Sequence, residues 1–296
     1  MTGTMTGSDE VEVRAVPTRR VSFEESLRTL TKHYAADEDL ILSHMFAALS
    51  AVFPDGEDFF VRSVRHFRDQ ITDPVLQRQV AGFIGQESVH GREHRAFNRR
   101  LAQLGYPTLR VERITRWGLK NRERVFTPTA NLAATAALEH FTATLAELAL
   151  TDEVARTLPG DPNVRDLFLW HALEESEHKA VAFDVYRAVG GSERTRVLTM
   201  KALRIGFVVG MAAQLSVSLL GDRASYEPGR LRASWQHFRR TPMFRREIWD
   251  QLCEYDQPGF HPDDRDTSAL VERWREELFG AEGSMNHRLA GGTPAA

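Results

Sequence analysis

The sequence has almost no cysteine, since Cys253 is the single one among 296 residues. An internal disulfide is therefore excluded, and so is a metal site built from several thiolates, which fits a reducing compartment. Strong charge of one sign is missing as well, because 38 basic residues face 41 acidic ones and the formal net charge is −3. This balance argues against a general nucleic-acid binder.

The first residues contain no basic segment followed by an apolar run, so they do not resemble a signal peptide. We therefore expect a cytoplasmic protein, with membrane association as the alternative. Residues 1–20 and about the last fifteen residues are predicted to be disordered tails, because they contain few apolar residues that could anchor them in a core.

Signals for β-strands are scarce. Between residues 22 and 250 apolar residues recur at three- and four-residue spacing, and Gly and Pro are confined largely to the joints. The sequence predicts an all-α fold with one helical domain over 21–265. Within it we expect a metal-binding bundle over about 53–190 and a helical cap over about 195–265, followed by a terminal helix and a flexible tail over 266–296.

The helix boundaries within the bundle are predicted from turn residues. We expect turns at 53–56 and 69–74, a helix from Pro74 to about Leu104, and a connection that contains Trp117. An Ala-rich helix is predicted near 129–150 and a long helix over about 163–189.

Two helical segments carry the same Glu-x-x-His pattern. One pair is Glu87 and His90, and the other is Glu175 and His178. This spacing places a carboxylate and an imidazole on one helix face, about one turn apart. Both pairs lie among apolar residues, and a buried carboxylate or imidazole costs several kcal/mol unless it is paired or binds a metal.

Each pair has a preceding glutamate as its partner: Glu57 precedes Glu87, and Glu139 precedes Glu175. Glu57 lies 13 residues before Gln70 and Glu87 lies 13 residues after Pro74, so antiparallel helices would bring both glutamates to one level. That level is about 20 Å from the loop, at a rise of about 1.5 Å per residue. The 52 residues from Glu87 to Glu139 fit one long crossover.

One glutamate from each of two helices, with Glu-x-x-His from each of two others, is the ligand pattern of ferritin-like di-iron carboxylate proteins. The predicted fold is therefore a ferritin-like four-helix bundle with a long crossover and additional N- and C-terminal helices. The predicted metal ligands are Glu57, Glu87, His90, Glu139, Glu175 and His178. Four carboxylates and two imidazoles suit two iron ions, with manganese or a mixed Fe/Mn centre as alternatives.

Three neighbouring residues remain ambiguous. Glu174 shares a helix face with His178, but Glu175 matches Glu87, so Glu175 is the preferred ligand. His94 and His171 lie one turn from the ligand pairs. Each either hydrogen-bonds to a ligand carboxylate, which is the more common case, or binds metal directly. A further catalytic residue is not identified.

Several longer motifs resemble the bacterial family labelled "predicted metal-dependent hydrolase", over roughly residues 35–265. They are Phe53-Pro54-x-Gly56-Glu57, Phe83-Ile84-Gly85-Gln86-Glu87-x-x-His90-Gly91-Arg92-Glu93-His94, Trp170-His171-x-x-Glu174-Glu175-x-Glu177-His178-Lys179-x-Val181-Ala182-Phe183-Asp184 and Gly259-Phe260-His261-Pro262. The resemblance implies a relation to the ferritin-like superfamily. It implies metal binding more firmly than any particular reaction.

The most hydrophobic stretch covers 205–220, which is 16 residues long and ends before Gly221. That length is short of the ~20 residues needed to span a bilayer. The favoured interpretation is a buried helix that packs on the bundle, and the alternative is a peripheral membrane contact.

Two enzyme hypotheses follow from the ligand set. The favoured one is a di-iron oxidoreductase or oxygenase that uses O₂ to oxidise a small, apolar organic substrate, with an electron donor as a further partner. The alternative is a metal-dependent hydrolase that uses a metal-bridging water. Iron binding or storage is a third reading, which the extra residues after the bundle disfavour. No nucleic-acid partner is expected, and a homodimer is an alternative to a monomer.

Overall fold

The computed structural model describes residues 15–290, and the predicted all-α fold is confirmed. Of the described residues, 76% are helical. No strand occurs within the described range, where Val21 and Leu289 form an isolated antiparallel bridge. The helices are α1 (Leu40–Arg65), α2 (Pro74–Gln103), α3 (Thr108–Val125), α4 (Pro128–Thr151), α5 (Glu153–Thr157), α6 (Pro162–His178), α7 (Val181–Ala188), α8 (Glu193–Leu220), α9 (Arg230–Phe238), α10 (Arg246–Glu254) and α11 (Ser268–Phe279).

Helices α1, α2, α4 and α6 carry the predicted ligands, and each begins at a capping side chain. Asp39, Asp73, Thr127 and Asp161 each accept a hydrogen bond from a backbone N–H of the first turn. In the last three helices a proline follows the cap directly, where its missing N–H costs no helical hydrogen bond. These local signals set the starting points from which the ligand positions are counted.

The four helices pack on one another as the pairs α1–α2 and α4–α6, which also contact each other. Two hydrophobic clusters fill the space on either side of the ligands. One contains Phe97 and Trp170, and the other contains Phe59 and Phe83. The ligand side chains therefore lie between two apolar clusters. The ferritin-like relation and the division into a bundle and a cap stay predictions.

The predicted turn at 53–56 is wrong, because α1 continues through Pro54. A proline inside a helix leaves the carbonyl four residues earlier without its backbone donor. Here that carbonyl belongs to Ser50, and it accepts a hydrogen bond from Asn98 Nδ2 of α2 at 3.1 Å. A side chain on another helix therefore replaces the lost donor, which local sequence signals cannot reveal.

Two further boundaries differ from the prediction. The connection around Trp117 is itself a helix, α3, which links α2 to α4 and packs on α1 and α2. Ion pairs from Arg116 to Asp55 and from Arg62 to Glu123 hold α3 against α1. The predicted helix over 163–189 is interrupted after His178, where two residues separate the end of α6 from the start of α7 at Val181.

The predicted disordered tail does not hold for residues 15–20. This segment crosses α2 at Gly82 and Gly85, where a Cβ atom would overlap Val16 and Thr18, respectively. Arg19 then forms ion pairs with α6. Residues 1–14 and 291–296, which belong to the predicted tails, lie outside the described residues.

The preferred interpretation of the apolar run as a buried helix is also wrong. Helix α8 packs on α1 and α4 along one side only. Only 11% of its most apolar 18-residue window is buried. By length and composition it is the one helix within residues 15–290 that could cross a membrane, which alone is weak support for a membrane span.

Candidate metal centre

The structure brings the six predicted ligands together at the centre of the four helices. Glu57 comes from α1, Glu87 and His90 from α2, Glu139 from α4, and Glu175 and His178 from α6. All six side chains are buried. Glu57 and Glu87, which lie at equal distances from the turn between α1 and α2, are thus brought to the same level of the bundle.

One half of the site contains Glu57, His90 and His171, whose donor atoms lie within 4.8 Å of one another. Glu57 Oε1 is 3.8 Å from His171 Nε2. The other half contains Glu87, Glu139 and His178, with His178 Nε2 at 3.1 Å from Glu87 Oε1 and 3.2 Å from Glu139 Oε2.

Glu87 and Glu175 connect the two halves. Glu175 Oε1 lies 3.6 Å from His90 Nδ1 and 3.5 Å from His178 Nε2. Glu87 Oε1 lies 3.6 Å from His90 Nδ1, and the same oxygen approaches His178. Two carboxylates thus lie within reach of both imidazoles, as bridging ligands of a dinuclear centre would.

Most of the oxygen and nitrogen atoms that could bind metal lack a hydrogen-bond partner within the described residues. Both carboxylate oxygens of Glu57, Glu87 and Glu139 are buried and accept no hydrogen bond. The same holds for Glu175 Oε2, His90 Nδ1 and His178 Nε2. Unpaired buried polar atoms are costly and rare, so a cluster of them indicates that a cation is their missing partner.

Burial favours the protonated form of two of the carboxylates in the metal-free protein. It raises the pKa of Glu139 to about 8, and the Glu175 charge adds to this effect. Burial likewise raises the pKa of Glu57 well above its ordinary value, with Glu87 as a contributing negative charge. A bound cation would reverse this effect, because it stabilises the ionised form.

Each ligand histidine is oriented by the residue that precedes a ligand glutamate on the facing helix. His90 donates from Nε2 to Glu174 Oε2 at 3.0 Å. His178 donates from Nδ1 to Gln86 Oε1 at 2.8 Å. These bonds leave His90 Nδ1 and His178 Nε2 free to bind metal, which is the usual arrangement of metal-bound histidines. Glu174 therefore acts through His90.

The N-terminal segment holds both of these orienting residues. Arg19 contacts Glu174 at 3.1 Å and Glu177 at 2.7 Å. Gln86 donates from Nε2 to the Pro17 carbonyl and to Glu177 Oε2. Arg19, Gln86 and Glu177 were not among the predicted site residues. The repeated pattern of Gln86-Glu87 and Glu174-Glu175 was the available signal.

A chain of hydrogen bonds fixes the tautomer of His171. Asn98 Nδ2 donates to the Ser50 carbonyl and to Glu112, so Asn98 Oδ1 must accept from Ser50 Oγ. Ser50 Oγ therefore accepts from His94 Nδ1, and His94 Nε2 accepts from His171 Nδ1 at 2.7 Å.

This chain leaves a lone pair on His171 Nε2, which lies 2.9 Å from Glu175 Oε1. A lone pair cannot face a carboxylate at that distance unless a proton or a cation lies between them. Burial lowers the pKa of both His171 and His94, which keeps the chain neutral. The arrangement therefore makes His171 a seventh candidate ligand, whereas His94 uses both of its nitrogens within the chain.

A second group of metal-ligating types, His33, His44 and Asp222, lies at the C-terminal end of α8. Both imidazoles approach Asp222 Oδ2 at 2.9 Å, and Lys32 Nζ lies 2.9 Å from the same oxygen. The ammonium group already supplies the positive charge there, so this cluster is an anchor for the end of α8.

The donor set at the centre of the molecule fits two divalent cations. Four carboxylates balance the charge of two such ions, and oxygen with imidazole nitrogen suits metals such as iron or manganese. In agreement with this chemistry, the family described as predicted metal-dependent hydrolase matches residues 17–266. The chain belongs to this family. No curated protein and no solved structure matches the chain.

Proposed function

We propose that this member of the family is a hydrolase with a dinuclear metal centre. The observation that carries the proposal is the set of buried, unpaired donor atoms that four helices direct to one point. The family description supports hydrolysis as the reaction class. Two divalent cations at such a site lower the pKa of a bound water and polarise a carbonyl or phosphoryl oxygen.

The protein residues have separate tasks in this proposal. Glu57, His90 and His171 would hold one cation, Glu139 and His178 would hold the other, and Glu87 and Glu175 are within reach of both. Glu174 and Gln86 keep the imidazoles in the ligating tautomer. The two apolar clusters exclude bulk water, which strengthens the electrostatic interactions within the site.

Metal content tests the ligand assignment directly. Glu87→Ala and His178→Ala should each lower the bound metal well below about two ions per chain, because each removes a ligand that no neighbour can replace. His140→Ala is the matched control, since His140 is buried beside Glu139 but bonds to the Gln251 carbonyl. Metal analysis of the purified proteins is the measurement. Equal metal content in all three variants would refute the assignment.

Reaction class is tested with chromogenic ester, amide and phosphoester substrates. The metal-loaded protein should hydrolyse at least one class, and the metal-free protein and His178→Ala should not. Hydrolysis that is independent of metal contradicts the proposal, and so does a metal-loaded protein that hydrolyses none of the three classes.

A second candidate is the di-iron oxidoreductase, which the ligand chemistry favours. Four carboxylates with the imidazoles of His90 and His178, and no thiolate, match the ligand set of di-iron carboxylate proteins, to which His171 would be an addition. Anaerobic protein loaded with Fe(II) should then consume O₂ on mixing, whereas Glu87→Ala protein treated in the same way should not. A protein that hydrolyses a substrate and is indifferent to O₂ excludes this candidate.

A further inference from the structure

Helix α8 presents an apolar face to the outside along more than half of its length. Its inner side is held by protein contacts at both ends, through Arg196 near the start and Ser218 near the end, which are both buried. The outward side is exposed and almost entirely apolar. Its exposed residues are Ile205, Gly206, Val208, Val209, Ala212, Ala213, Ser216, Val217 and Leu220. Soluble monomers rarely expose a continuous apolar face of this length without a partner for it.

Aromatic side chains stand at both ends of this face. Near its start, Trp249 of α10 is exposed and packs under the guanidinium of Arg204, 5.6 Å from the ring centre. Near its end, exposed Tyr226 donates its hydroxyl to the Leu220 carbonyl at 2.9 Å. Tryptophan and tyrosine concentrate at the boundary between lipid headgroups and acyl chains.

The segment that follows α8 is strongly basic. Over residues 223–249 the arginines are Arg223, Arg230, Arg232, Arg239, Arg240, Arg245 and Arg246, and the acidic residues are Glu227 and Glu247. Most of these arginines are exposed, and exposed Leu231, Trp235 and Phe244 lie among them. The chain as a whole is slightly acidic, so positive charge is concentrated in the segment that directly follows the apolar face.

We propose that the α8 face, together with the arginines of 223–249, docks on the surface of an anionic lipid membrane. The helix would lie in the plane of the interface with its apolar side among the upper acyl chains, while the arginines bind headgroup phosphates. Protein contacts on the inner side of α8 exclude an orientation in which the helix crosses the membrane. Arg196 and Arg204 bind backbone carbonyls of the 252–257 segment, so α8 is fixed lengthwise on the protein.

A second copy of the chain is a poorer partner for this face. A symmetric dimer uses the same surface on both subunits. If two α8 faces met in antiparallel fashion, exposed Lys201 at one end would lie near Arg223 of the other copy, and like charges would meet at both ends. A layer of anionic phosphates instead complements the charge along the whole surface.

Vesicle flotation with the full-length, metal-loaded protein tests the proposal. The wild type should float with vesicles of phosphatidylcholine that contain phosphatidylglycerol. It should bind vesicles of phosphatidylcholine alone at least roughly tenfold more weakly, since anionic lipid supplies the electrostatic part of the binding free energy. Ile205→Glu should abolish flotation. Ile114→Glu is the matched control and should still float. Ile114 is 57% exposed, against 66% for Ile205, but it lies on α3, which packs on α1 and α2 and is not part of the α8 face.

The charge component is tested by Arg239→Glu with Arg240→Glu, which should weaken binding to anionic vesicles roughly tenfold and flatten its salt dependence. Melting curves and metal content establish that each variant is folded. A folded wild type that does not float overturns the proposal. It is also overturned if the wild type is a dimer that Ile205→Glu converts to a monomer without any lipid binding, because the face is then the dimer interface.

Discussion

At the residue scale, the centre depends on which atom of each imidazole is left free. Glu174 and Gln86 accept from one nitrogen of His90 and His178, and the other nitrogen remains for metal. The hydrogen bonds that connect Asn98, Ser50, His94 and His171 have the same effect, because they leave a lone pair on His171 Nε2. Ligand identity is therefore set by hydrogen bonds as well as by position on the helix.

The adjacent glutamates of α6 give a prediction at this scale. Glu175→Gln should abolish metal binding at the proposed dinuclear site, because an amide supplies neither the charge nor the bridging mode of a carboxylate. Glu174→Gln should retain the metal, since its amide oxygen can still accept from His90 Nε2. Metal content and melting temperature with and without metal are the measurements.

The two variants differ by one position on one helix, so each is the control for the other. If Glu174→Gln lost the metal and Glu175→Gln retained it fully, the metal ligand on α6 would be Glu174 and not Glu175. That result would contradict the geometry around Glu175 Oε1.

At the element scale, the N-terminal segment acts on the centre from outside. Residues 16–19 pass over α2 at two glycines and hold the groups that orient both ligand histidines. Arg19 reaches Glu177 as well, and Arg275 of α11 contacts the same Glu177 oxygen, Oε1, at 2.6 Å. Segments far apart in the chain therefore hold a single network around α6.

We expect Arg19→Ala to lower metal affinity about 10- to 100-fold, the usual effect of removing a group that orients a metal ligand. The physical reason is that Glu174 loses its cationic partner and no longer fixes His90. Competition titration with a chelator measures the affinity. Arg28→Ala is the control, because its ion pair with Glu25 is largely exposed and should matter little. An affinity unchanged by Arg19→Ala would show that the segment does not support the centre.

At the scale of the whole molecule, the buried carboxyls couple stability to pH in the metal-free protein. Burial raises the pKa of Glu139 to about 8, so the folded state keeps a proton there that the unfolded state has already released. The stabilisation is present below the unfolded pKa and is lost as pH rises through about 8. Buried histidines with lowered pKa, such as His140 at about 4, act in the opposite sense, but only below about pH 6.5.

The melting temperature of the metal-free protein should therefore fall between about pH 7 and pH 9, where the carboxyls dominate. Bound metal should remove this decline, because it stabilises the ionised carboxylates. Glu139→Gln should reduce the slope of the metal-free protein, whereas Glu153→Gln, at an exposed position, should not. Calorimetry across this range provides the measurement. A metal-free melting temperature that is flat or rises with pH would contradict the assigned burial.

Much of the site was predictable from the sequence because its signals are local. The Asp-Pro and Thr-Pro caps start the helices, so Glu57 and Glu87 could be placed at one level by counting from the turn between them. The Glu-x-x-His spacing then placed each histidine on the helix face of its glutamate. The membership of α1, α2, α4 and α6 in one all-α arrangement follows from the same periodicity. Metal identity and substrate do not follow from these signals.

The rest depended on contacts between distant parts of the chain. Helix α1 passes through Pro54 because Asn98 supplies the missing donor, and residues 15–20 are ordered because Arg19 finds partners on α6. Whether α8 is buried depended on which neighbours cover it, since an apolar sequence fits a core and a membrane surface equally well. The sequence by itself determined where helices start and which residue types share a face, because these effects act within a few residues. Tertiary structure alone decided which polar groups were satisfied and which apolar faces stayed open, because those depend on partners far away in the chain.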